Sequence, residues 1–157
     1  MAFTTFLFSA WLIISLFIIL PKRLNLIENS FIFLTIGVIS INWSWIIYEE
    51  LKFGKITENP ADYAGFLIFR SIIIPTLIMF QLNRYGSSSF NKKMTFVISI
   101  STIGLILLTL LSRVFDVTTY KQWHLIFDVL YYLGLHIIAL VVLICLRKAP
   151  SSEVKQI

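Results

Sequence analysis

Five long apolar runs dominate the chain and leave few folds open to it. They cover Phe3–Leu20, Ser30–Tyr48, Ala61–Leu82, Met94–Ser112 and Trp123–Cys145, each 18 to 23 residues long. Roughly 20 residues at about 1.5 Å each cross the ~30 Å hydrocarbon layer of a bilayer. The runs show no period-two alternation, which argues for helices rather than a barrel. Charged residues are 13% of the 157 positions and hydrophobic ones 58%, whereas soluble domains carry roughly 25% charged residues. A soluble core of this size could not hide so much apolar surface, so lipid is the expected solvent. The expected fold is therefore an all-α membrane protein, a five-transmembrane-helix bundle. It forms a single domain over residues 1–148, followed by a short polar cytoplasmic tail, 149–157. Cys145 is the only cysteine, so no internal disulfide can form and no dithiol chemistry is available.

The basic residues set the expected orientation. With five spans, Lys52, Lys55, Arg113 and Lys121 fall on one side. Lys22, Arg23, Arg84, Lys92, Lys93, Arg147, Lys148 and Lys155 fall on the other. Eight against four places the N-terminus outside and the C-terminus in the cytoplasm. Most acids lie on the outer side, so the net charge of +5 is a basic cytoplasmic rim suited to anionic lipid, and no nucleic-acid footprint. The first run has no basic residues before it, and Lys22 and Arg23 follow it. It is expected to stay as an anchor, not to be removed as a signal peptide. Trp45, Tyr48, Tyr63, Tyr120 and Trp123 fall near the outer boundary, where amphipathic rings collect.

Arg70 stands near the middle of the third run. Inserting it costs about 2.5–3.5 kcal/mol, against roughly 5 kcal/mol recovered from the Leu, Ile and Phe residues of the same run, so the segment still inserts. A guanidinium at that depth needs a partner and marks a polar interior. Helical geometry offers two groups of neighbours. Asn42 and Glu49 are seven positions apart, close to two turns, and share a face of the second span. His124, Asp128, Tyr132 and His136 recur every four residues on the fifth, where His124 and Asp128 can pair. Asp128 is the expected partner of Arg70, with Glu49 as the second choice. Each residue also has a plain reading: Arg70 and Asp128 as interhelical glue, His136 as a hydrogen-bonded packing residue, and Glu49 and Glu50 as solvated boundary acids. Pro75 frees the carbonyl of Ser71 and is expected to kink the third span. The pairs Ala61/Gly65 and Ser40/Ser44 allow close helix approach.

No cluster has zinc-ligand spacing, and no phosphate loop, nucleophile elbow or Ser-x-x-Lys motif occurs, so no metal, cofactor or catalytic residue is assigned. The Pro21-Lys22-Arg23 step after the first span and Trp123 at the start of the fifth resemble an uncharacterised family. Its members are small five-span membrane proteins from spore-forming Gram-positive bacteria. That resemblance extends from Phe6 to about Pro150, with Leu24 where the family has an aromatic residue. It implies the fold and a bacterial plasma membrane, multi-pass, and no activity.

Three function classes follow. The leading one is a binding or transport bundle in which Asn42, Glu49, Arg70, His124, Asp128 and His136 surround an outward-facing cavity for an ion, a lipid headgroup or another small ligand. The second is a structural or accessory membrane subunit, in which the same residues only hold helices together. The third is a membrane enzyme acting on a lipid, with Asp128 or Glu49 as acid/base and a histidine as partner. The bilayer is the one expected partner, and assembly into a homo- or hetero-oligomer stays open.

Overall fold

A computed structural model describes residues 1–85, 92–120 and 124–148. The expected cytoplasmic tail and Trp123 lie outside the described residues. Five helices are long and apolar enough to cross a membrane: Ala2–Ile19, Leu26–Glu50, Pro60–Arg84, Met94–Val114 and Leu125–Lys148. The second span starts four residues before the expected Ser30. Asn25 and Glu28 form a capping box there, with the Asn25 N–H donating to Glu28 Oε2 at 2.9 Å. The third span starts at Pro60, with Asn59 Oδ1 accepting from the Ala61 N–H at 3.0 Å.

In chain order the helices are α1 (Ala2–Ile19), α2 (Leu26–Trp45), α3 (Pro60–Ile68), α4 (Ile74–Tyr85), α5 (Lys92–Val114) and α6 (Leu125–Lys148). A π-helical turn, Ile46–Glu50, extends α2, and a second one, Phe69–Ile73, joins α3 to α4 into one span. The second π turn comes just before Pro75, whose nitrogen can donate no helix bond. The ladder is therefore interrupted near the carbonyls it would have served. The third span occupies the centre, with α1 packed on α3, α2 on α4, and α5 and α6 beside them. Gly65 makes the α1–α3 contact close: a Cβ there would meet Phe3 Cα at 3.1 Å. Outward faces stay apolar around the bundle, with Phe8, Trp11, Ile18, Phe96 and Ile137 all exposed. Such a surface suits lipid and would aggregate in water.

The connectors at one end form a two-stranded antiparallel sheet, β1 (Gly54–Ile56) with β2 (Thr118–Tyr120). Gly54 faces Tyr120 in the register, and a Cβ at Gly54 would come within 2.8 Å of the Thr119 carbonyl oxygen. Each connector carries one left-handed residue ahead of its strand, Lys52 (φ 51°) and Asp116 (φ 50°). The sheet ties the second-to-third connection to the fourth-to-fifth and covers that end of the bundle.

Candidate functional site

Beneath the sheet lies a cavity of about 40 Å³. Four spans and β2 line it: Trp43, Ser44, Ile47 and Tyr48; Phe66, Phe69, Arg70 and Ile74; Thr109 and Ser112; Thr118 and Tyr120; Asp128, Tyr131 and Tyr132. Both π turns contribute, one through Ile47 and Tyr48 and the other through Phe69 and Arg70. Such turns interrupt regular helices frequently at functional positions.

The polar wall is tied together by short bonds. Tyr48 Oη donates to Tyr120 Oη at 2.8 Å, joining the second span to the sheet. Thr109 Oγ1 and Tyr132 Oη are 2.6 Å apart, and Ser112 Oγ and Thr118 Oγ1 are 3.0 Å apart. Arg113 Nη2 donates to Asp128 Oδ2 at 2.6 Å, and its guanidinium carbon lies 4.2 Å from the centre of the Tyr120 ring. Tyr120 lies in β2, outside the spans. Burial, and after it the nearby charge of Asp128, pushes its phenol above the ordinary tyrosine range.

This wiring corrects the expected pairing. Asp128 engages Arg113, which sequence reasoning had counted as a connector charge, and no ion pair joins Arg70 to a carboxylate among the described residues. Arg70 and Asp128 do share the cavity. The Arg70 guanidinium instead lies 5.3 Å from the centre of the Phe66 ring, and its Nε is buried without a hydrogen-bond partner. Arg113 was legible in principle. It occupies the last turn of α5, and Asp128 the first turn of α6. A short connection makes consecutive spans antiparallel neighbours, which brings such end turns together.

The other expected residues scatter. Asn42 is exposed, and its amide donates to its own helix at Val38 O, 2.7 Å away. Glu49 is exposed and borders a surface hollow with Lys52, Lys55 and Glu58. The two do not meet at the cavity. Their expected common face assumed a regular helix, and the π turn at Ile46 breaks that periodicity. His124 precedes α6, is exposed, and lies beside Phe127, so the expected His124–Asp128 pair does not form. His136 is buried away from the cavity, with Nδ1 2.6 Å from Tyr132 O and Nε2 3.1 Å from Ser101 Oγ. A carbonyl only accepts, so Nδ1 carries the proton, and Nε2 shares a hydrogen bond with the Ser101 hydroxyl. Both nitrogens are occupied in packing.

Among the described residues no group of His, Cys, Asp or Glu is arranged to hold a metal. The cavity walls offer cationic and hydroxyl donors around one carboxylate that already has a guanidinium partner. That chemistry suits an anion or ordered water. Comparison with protein-family models, with curated proteins and with solved structures finds no match to this chain.

Proposed function

We propose that this chain is a multi-pass protein of a bacterial plasma membrane, N-terminus outside and C-terminus in the cytoplasm. In this reading it is a binding or transport bundle whose cavity takes a small inorganic anion. One observation carries the choice of ligand. Arg70 lines a cavity in which the only carboxylate is engaged by Arg113, and the Arg70 Nε–H is buried without an acceptor. Arg70 is half-buried, and a partly buried charge left without a carboxylate favours a counter-ion. Size narrows the class. About 40 Å³ exceeds the roughly 10–15 Å³ that one water needs and falls far below the roughly 300–1,000 Å³ of pockets for organic ligands. A halide or an anion of a few atoms fits that range, and a lipid headgroup does not.

The test is thermal unfolding of the purified protein in detergent at constant ionic strength, with sodium gluconate replaced stepwise by sodium chloride, nitrate or formate. A bound ion raises the melting temperature saturably, because it stabilises only the folded state. Gluconate, too large to enter, gives no such rise. Arg70→Met should keep the starting stability and lose the response. Superimposable curves in all salts, or an intact response in Arg70→Met, overturn the reading.

The Arg113–Asp128 bond by itself favours the second reading, a structural or accessory subunit, because it joins α5 to α6 without any ligand. That role predicts no anion response at all.

A further inference from the structure

At the end opposite the sheet, the first two spans leave a gap. α1 leans on α3 and α4, α2 leans on α4 and α6, and the two scarcely touch each other. The gap is a groove of about 540 Å³. Met79 of α4 lies in it, with Phe17 of α1 on one side and Phe33 and Leu34 of α2 on the other. Its size falls within the range of sites for organic ligands, roughly 300–1,000 Å³.

The mouth is built, not loose. Asn83 Oδ1 accepts from the backbone N–H groups of Arg23 and Leu24, both at 3.1 Å, and its amide donates to Asn29 Oδ1 at 2.6 Å. Asn29 in turn donates to Leu24 O at 3.0 Å. These bonds fix the short connector on which Lys22 stands, and its ammonium lies 4.9 Å from the centre of the Phe17 ring. The nearest acid of the connector region, Glu28, is engaged by Arg147 Nε at 2.8 Å. Lys22 has no carboxylate partner among the described residues. Asn29 is occupied in the connector bonds, which leaves Lys22 and Ser30 as the polar groups bordering an otherwise apolar slot.

We propose that the groove binds one anionic phospholipid of the inner leaflet, an acyl chain lying on Met79 and Phe33 and the phosphate at Lys22. The charge is complementary, and the snorkelling ammonium reaches headgroup depth while its stem follows the aromatic ring. This inference rests on the membrane reading above and is independent of the anion cavity.

Native mass spectrometry tests it, with the detergent-purified protein titrated with phosphatidylglycerol or phosphatidylcholine carrying the same acyl chains. The wild-type chain should retain one phosphatidylglycerol about fivefold more tightly than phosphatidylcholine. Lys22→Gln should bring the two to parity, and Leu34→Trp, on an outward-facing position, should fill the groove and lose both. Helicity and elution volume check that each variant is folded. Equal retention of the two lipids by the wild-type chain overturns the proposal. So does a preference that survives Lys22→Gln, or lipid retention unchanged by Leu34→Trp. Failure of the membrane reading is distinguishable, because the protein would then stay dispersed without detergent.

Discussion

Arg70 and Arg113 carry the same charge and differ in one partner, the Asp128 carboxylate. Each guanidinium lies over an aromatic ring and each Nε is buried without a hydrogen-bond partner, but Arg113 also has a carboxylate at 2.6 Å and Arg70 has none among the described residues. Removing them should therefore have different effects. Arg113→Met leaves Asp128 without its guanidinium and should destabilise the protein by about 3 kcal/mol. Adding Asp128→Leu should recover most of that loss, because the stranded charge goes with it. Chemical unfolding of both variants in mixed micelles measures the difference, and additive losses would count against the pair. At this scale the sequence was partly legible. An arginine inside an apolar run announces a polar interior, and Asp128 lines the same cavity as Arg70 without pairing with it. Which arginine holds Asp128 depends on how the ends of α5 and α6 approach, and residue spacing within one helix says nothing about that.

The elements themselves were more legible than their interruptions. Run length and apolarity located five helices, and Asn25-x-x-Glu28 encodes the early start of α2 in plain capping-box form. The π turns were not legible, because no residue type demands them, although Pro75 marks where one ladder must fail. The sheet was hidden too, since each strand is only three residues long and is stabilised by its partner alone. Gly54→Val tests that pairing. Its side chain would collide with the Thr119 carbonyl, costing about 1–3 kcal/mol and raising amide exchange over residues 54–56 and 118–120. Alkaline pH should loosen the same cap. The folded chain keeps the Tyr120 proton above the ordinary value near 10, and the unfolded chain releases it there. The native state then binds more protons, so stability present below about pH 10 is lost as pH rises through the folded value. Melting temperatures at pH 9 and pH 11 should fall less in Tyr120→Phe than in the wild-type chain.

For the whole molecule, the proposed orientation makes the two ends chemically distinguishable. In a Cys145→Ser background, Glu58→Cys at the sheet-bearing end should react with an impermeant maleimide on intact cells. Arg84→Cys, exposed near the opposite end, should react only after lysis. The reverse pattern would invert the topology. The bundle's order of packing also bears on how it is made. The first helix finds its bed on the third, where Phe3 meets Gly65, and hardly touches the second. Synthesis runs from the N-terminus, so two hydrophobic rods leave the ribosome before the surface that joins them exists. Chains arrested after the second rod should therefore depend on an insertase or another holding factor, and that dependence should end once the third has emerged.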